Sequence, residues 1–409
     1  MFPRYLTGLD IGSASIKAVI GEFKKNGQLT LVRAFRSPSA GMRRGSVEDL
    51  AEMTRSLNQL FLEIRNVSKD ALKNIILNIG GPDVKLQTSK GIVAVSRADF
   101  EIYQDDIDRV VQASQAINLP PNRMIIHSMI REYLVDGVGD IQDPIGMIGN
   151  RLEVNSIMID AFTPRVKNLT KCVEMAGGGM NALILAPLAA SRSVLSRNQK
   201  ELGVAVVDIG FGTTGICMYE ENKLLHTAIL PVGSGNITND LAIGLRTNID
   251  VAETVKLSFG TAIAKGISVR ENIDLRKVDA NIRVNPSRKF IAEVIQSRLA
   301  EIFEFVDNEL KTISRAGRLP AGVVLVGGGS KLPGIVDLAR EELQLPAQIG
   351  IPDTTALEVL NGELNLQLED PEFACAMGLV MAGHDRLENK TSVADMTGMW
   401  KKIIGQFLP

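Results

Sequence analysis

Asp10-Ile11-Gly12-Ser13-Ala14-Ser15-Ile16-Lys17 and Asp208-Ile209-Gly210-Phe211-Gly212-Thr213-Thr214-Gly215-Ile216 decide how this chain folds. Each stretch follows a short apolar run, residues 6–9 and 204–207, and each precedes another. The pattern is strand, Gly/Ser/Thr-rich turn, strand. Such a turn needs residues that tolerate unusual backbone angles and let main chain come close to a ligand. Its successive N–H groups form an anion-binding concavity, and the hydroxyls add donors. One Asp-x-Gly turn alone is an ordinary hairpin. Two in matched settings, about half a chain apart, predict two like-folded halves gripping one polyphosphate from both sides.

A third glycine cluster supports this reading. Val323-Val324-Leu325-Val326 runs straight into Gly327-Gly328-Gly329-Ser330, and a helical stretch follows at residues 335–343. Bare backbone there lets a base or ribose lie flat, although an isolated triple glycine also fits a flexible loop.

Working outward, residues 6–11, 16–23 and 29–36 read as strands, with Asn26-Gly27 as a turn. A helix is expected over 46–64, with Ser46 as N-cap and Asp49 completing a near capping box. A buried strand spans 74–80. Residues 84–163 then read as a separate α+β unit, with strands at 91–95, 123–136 and 152–161, a helix at 105–117 and a loop at 137–150. The first fold resumes with a helix at 164–175, a strand at 182–185 and a helix at 188–195. The second half repeats the order: strands 204–209, 214–220 and 223–232, then a helical region at 238–259. Charged, strand-like segments at 265–286 and a long amphipathic helix at 287–314 lead back to the glycine cluster. This is a structural duplication with little residue identity between halves. The expected domains are a first core subdomain (1–83 and 164–200, with a return helix at 371–386) and the insert (84–163). A second core subdomain (201–233 and 303–370) and a smaller subdomain of the second lobe (234–302) complete the body.

Bulk properties exclude several classes. With 409 residues, a net charge of −2 and no dense basic run, no nucleic-acid partner is expected. Cys172, Cys217 and Cys375 sit singly in apolar stretches and read as buried free thiols. His127, His226 and His384 are scattered, so no zinc or haem spacing exists. The first strand begins so early that no signal peptide is expected, and no apolar run approaches a membrane span.

The tail carries a different signal. Residues 387–395 read as a polar linker. Beyond it, Met396, Met399, Trp400, Ile403, Ile404, Phe407 and Leu408 fall on one helical stripe across 396–409, with Lys401 and Lys402 off it. Such a helix lies in a membrane interface with its lysines near anionic headgroups. A groove on this protein or a partner is the other surface it could cover.

The two Asp-x-Gly turns and the Gly-Gly-Gly-Ser loop together resemble the actin-like ATPase superfamily. Its fold is α/β, a duplicated ribonuclease-H-like unit in two lobes. Within that superfamily, Glu201-Leu202-Gly203-Val204-Ala205-Val206-Val207-Asp208-Ile209-Gly210, Leu230-Pro231-Val232-Gly233-Ser234-Gly235-Asn236-Ile237-Thr238 and the insert resemble the FtsA family of bacterial cell division proteins. The resemblance implies ATP and Mg²⁺ as cofactors. It implies that Asp10 and Asp208 hold the metal, largely through water, where only a cation lets carboxylate and phosphate coexist. Gly12, Ser13 and Ser15 would form the first phosphate loop, with Lys17 reaching the β-phosphate. Gly210, Gly212, Thr213 and Thr214 would form the second. Gly233, Gly235 and Asn236 resemble a turn near the ribose, and Gly328, Gly329 and Ser330 an adenosine loop. Glu253 and Lys256 would touch ribose and adenine; spacing alone makes them an ordinary surface pair.

The same resemblance implies a membrane-targeting tail, self-association into filaments and attachment at the cytoplasmic face of the cell membrane at the division site. It implies binding of the tail of the tubulin-like protein FtsZ on the smaller subdomain. Arg298 there resembles a basic contact residue, although it reads equally as a solvated helix charge. The insert would meet other division proteins. One departure stands out. Where hydrolysing relatives carry Glu before Pro, this chain has Ala186-Pro187-Leu188-Ala189-Ala190, so hydrolysis is expected to be slow. The alternative reading is a type IV pilus assembly actin-like ATPase, which shares fold and insert but lacks a reason for the terminal helix. An actin-fold sugar kinase would need a catalytic acid and substrate-binding inserts that the sequence does not offer.

Overall fold

The computed structural model describes residues 3–277, 285–355 and 357–393. Two sheets with the same internal order organise the chain. In the first, Leu29–Pro38, Ser15–Phe23, Tyr5–Ile11, Ile75–Ile79 and Met180–Leu185 lie side by side, and Glu358–Val359 extends the edge. In the second, Lys223–Leu230, Thr214–Glu220, Val204–Ile209, Val323–Val326 and Ala347–Ile349 take the corresponding places. In both sheets the first three strands are antiparallel and the later two join in parallel. Central strands such as Tyr5–Ile11 are buried along their whole length, and in Val323–Val326 this explains the unbroken apolar run.

Helices cover both sheets. Leu50–Val67 buries Met53, Leu57, Leu60, Phe61 and Ile64, a spacing of three and four that gives one apolar face. Its N-cap is Asp49, whose carboxylate accepts from the amides of Ala51 and Glu52, and not Ser46. Ser46 is instead held in a tight hairpin, Met42–Arg43 against Ser46–Val47, so it cannot open the helix. In the second lobe the expected helical region divides into Ser234–Leu245 and Ile249–Phe259. Arg246 ends the first in a left-handed conformation, φ 52°, and Asn248 caps the second. Of the charged stretch expected to be strand-like, the described part holds a single bridge, Asn272 to Ser287, and a short 3₁₀ turn at Leu275–Lys277. Residues 278–284 lie outside the described residues.

The insert has its own sheet, ordered Lys85–Ala94, Arg151–Phe162, Arg123–Val135 and Val138–Ile141, with Gln104–Gln115 packed on it. Ile102, Ile107, Val110, Tyr133, Val135, Leu152 and Val154 form its small core. Two features exceed the expectation: the first strand spans ten residues, and the loop contains the strand Val138–Ile141. Charged pairs pin the crossings into and out of the insert. Arg123 pairs with the fully buried Asp160, and Arg165 with Asp83, whose other oxygen accepts from the Phe162 amide at 2.7 Å.

The chain returns through Ala374–Val393, which packs on Ala186–Val194 and on the first sheet. This helix runs on through most of the stretch expected to be a linker. No glycine or proline interrupts residues 387–393. The apolar tail stripe, Met396 to Leu408, lies outside the described residues.

Candidate functional site

The two acidic turns close in the same way. Gly12 N–H donates to the Ser15 carbonyl at 3.1 Å, and Gly210 N–H to the Thr213 carbonyl at 3.0 Å. A β-carbon on either glycine would meet that same carbonyl at 2.9 and 3.0 Å, so a side chain would force the turn open. The turns also face each other: a β-carbon on Gly212 would lie 2.7 Å from Ser13 Oγ. Between them opens a cavity of about 270 Å³. Asp10, Gly12, Ser13, Ser15 and Lys17 line it from one lobe; Asp208, Gly210, Gly212, Thr213, Glu253 and Lys256 line it from the other. Gly328 and Gly329 close one side.

The electrostatics of the floor are specific. Loss of solvent, then the nearby charge of Asp10, pushes the Asp208 carboxyl up to about 6, against the pull of Lys17. Lys17 sits 3.5 Å from Asp10. Two carboxylates held together at this energetic disadvantage suit a hard dication, and Mg²⁺ commonly takes one or two carboxylates with phosphate oxygens and water. Among the described residues no group of three or more His, Cys, Asp or Glu could hold a metal ion. The donor set therefore fits a metal shared with a ligand better than a protein-only cage.

Thr214, Ser330, Gly233, Gly235, Asn236 and Arg298 are not among the residues that line the cavity. Thr214 is fully buried, its hydroxyl donating to the Val232 carbonyl at 2.9 Å. Ser330 donates to the Gly327 carbonyl at 2.7 Å. Gly233, Gly235 and Asn236 stand behind the second turn. Gly235 N–H donates to the Phe211 carbonyl at 2.8 Å, Ser234 N–H to that of Gly210 at 2.8 Å, and Gly233 N–H to the Asn236 side chain at 3.1 Å. Glu253 and Lys256 form an ion pair at 2.6 Å, with the lysine side chain only 4% exposed. Burial lowers its pKa, an effect the pairing with Glu253 opposes. Arg298 grips Asp240 with two nitrogens, at 2.6 and 3.0 Å, and also pairs with Glu301. An incoming carboxylate would have to displace those partners.

Several lining residues escaped the sequence reading. Asn78 donates to Asp10 Oδ1 at 2.7 Å and accepts from the Ile11 amide at 2.8 Å, fixing the first carboxylate. Its signal was a lone Asn in the apolar strand Ile75–Ile79. Arg36, Glu372 and Lys331 meet at the cavity rim, with Glu372 3.0 Å from Arg36 and 3.2 Å from Lys331. Their separation in sequence hid them. Ala186 and Pro187 also line the cavity, so a methyl group occupies the place where a carboxylate was sought.

A family model described as cell division protein FtsA matches residues 205–378, and one described as the SHS2 domain inserted in FtsA matches residues 81–159. The cell division protein FtsA of Neisseria meningitidis is 33% identical over 93% of this chain and 90% of its own length. That of Pseudomonas aeruginosa is 32% identical over 96% and 92%. Among solved structures, a PilM–PilN type IV pilus biogenesis complex superposes with a TM-score of 0.67 at 20% identity, covering 93% of this chain and 98% of that chain. MreB5 of Spiroplasma citri bound to ADP superposes at 0.53 and 13% identity, covering 97% and 99%. Both show the fold, an actin-like one.

Proposed function

The chain belongs to the FtsA family of cell division proteins, and on that footing we propose that it binds ATP with Mg²⁺, polymerises on the cytoplasmic face of the membrane, tethers FtsZ filaments there and so helps assemble the division ring. One observation supports this most: Asp10 and Asp208, on two separately folded lobes, line one cavity together with two glycine turns. A ligand held by both turns favours the closed arrangement of the lobes, because it gains contacts only when both are in place. Mg²⁺ would offset the charge between the carboxylates and the phosphates. Backbone amides and hydroxyls of Ser13, Ser15 and Thr213 would hold the phosphates, and Asn78 holds Asp10 in register.

Ala186 offers no proton acceptor, and Glu372 is engaged by Arg36 and Lys331. Nucleotide therefore acts chiefly as an assembly ligand, with slow turnover. The apolar stripe at 396–409 would tether the assembly to lipid, and the insert would meet other division proteins. FtsZ would engage the smaller subdomain near Arg298, exchanging the Asp240 fork for a carboxylate of its tail.

Electron microscopy of the full chain on lipid monolayers, with and without ATP, tests the reading. Filaments on lipid that need both ATP and residues 396–409 are expected. Protein that coats the monolayer equally without either would contradict it.

A further inference from the structure

Phe211 stands between two glycines of the second turn. The residue is 36% exposed and lines the cavity. The fold is shaped around it. A β-carbon on Gly235 would come within 2.8 Å of its Cε1, and one on Gly233 within 2.7 Å of its carbonyl oxygen. Small residues at both places leave a slot for this loop and ring.

Behind the ring lies a charge. Lys256 Nζ is 5.5 Å from the ring centroid. It is held by Glu253 at 2.6 Å, by Thr238 Oγ1 at 2.9 Å and by the Ser234 carbonyl at 3.3 Å. The ammonium is thus satisfied by the protein, and its side chain, although among those lining the cavity, is only 4% exposed. A cation against an aromatic face is a favourable contact. Leu257 is 74% exposed and lines the same cavity, as do Leu332 and Pro333. Apolar surface with one aromatic ring is the chemistry that accepts the flat, weakly polar part of a nucleotide.

Resting on the nucleotide reading above, we propose that Phe211 is a specificity-determining residue. Its ring shields Lys256 from phosphate and presents an apolar face to the nucleoside, so the site prefers a nucleoside triphosphate over free polyphosphate. Affinity for the phosphate part then comes from the glycine turns, and discrimination comes from the ring.

The test is titration calorimetry of the full chain with ATP and with inorganic tripolyphosphate, each with Mg²⁺, for the wild type and for Phe211→Ala and Phe211→Tyr. The wild type should prefer ATP. Phe211→Ala should weaken ATP about tenfold, the size expected for losing one base–aromatic contact, and leave tripolyphosphate equal or tighter. Phe211→Tyr, which keeps the ring, should stay within about twofold of the wild type. ATP affinity unchanged in Phe211→Ala, or equal losses for both ligands, would overturn the proposal. If Phe211→Ala fails to fold, Phe211→Leu replaces it; it fills the slot without an aromatic face, and wild-type preference in that variant would also overturn it. Failure of the wild type to bind ATP at all would instead overturn the nucleotide reading itself.

Discussion

Single residues carry the chemistry, and Asp208 is the most exposed to test. Its carboxyl is pushed up to about 6 by loss of solvent and by Asp10. The folded ligand-free protein therefore holds a proton that the unfolded chain gives up near the ordinary value of 3.8. Stability from this group is complete below about pH 4 and is lost as pH rises through about 6. Asp208→Asn should raise the stability of the ligand-free protein at pH 7 by about 1–2 kcal/mol, discounted because the side chain keeps some exposure to the cavity. Urea unfolding at pH 7 and pH 4.5 checks this, and the gain should shrink to well under half at the lower pH. Residue types also show what was legible. Two Asp-x-Gly turns in matched strand settings point to a phosphate site, where one alone reads as an ordinary hairpin. Asn78 and the Arg36–Glu372–Lys331 cluster gave no such pattern, since tertiary folding alone brings them to the cavity.

Elements explain why the outline of the fold was readable. Strand–turn–strand units and the helix Leu50–Val67 declare themselves through periodicity and turn residues. Boundaries were less legible where a nearby contact competed. Ser46 is a good cap by type, but the hairpin claims it, and Asp49 opens the helix. The join between insert and first sheet contains a further device. His127, on the insert strand Arg123–Val135, accepts a hydrogen bond from the Leu185 amide at 2.9 Å, one residue before Ala186 of the cavity wall. Burial, helped by the charge of Arg386, moves its pKa from an ordinary 6.5 down to about 4. Between these values the unfolded chain binds a proton that the folded chain refuses, so stability falls as pH drops from about 6.5 towards 4. His127→Gln keeps an acceptor and cannot titrate. Its unfolding free energy should fall about 1–2 kcal/mol less than that of the wild type between pH 7 and pH 4.5.

At the scale of the whole molecule, the duplicated sheet order makes one site out of two lobes. The sequence signalled that duplication by repeating a turn and not by repeating residues. Among the described residues no helix is long and apolar enough to cross a membrane. Membrane attachment in this account rests on the stripe from Met396 to Leu408, outside the described residues. Deleting residues 396–409, or Trp400→Glu, should abolish sedimentation with anionic liposomes and leave ATP affinity within about twofold. Undiminished sedimentation of either variant would remove the tail from the account.

The proposed function requires both acidic turns to serve one metal–nucleotide ligand. Calorimetric titration of the full chain with ATP, in Mg²⁺ and in excess chelator, compares the wild type with Asp10→Asn and Asp208→Asn. One Mg²⁺-dependent site per chain is expected, with each substitution weakening it by about tenfold or more. Absence of binding in the wild type, or affinity unchanged in both variants, would contradict it.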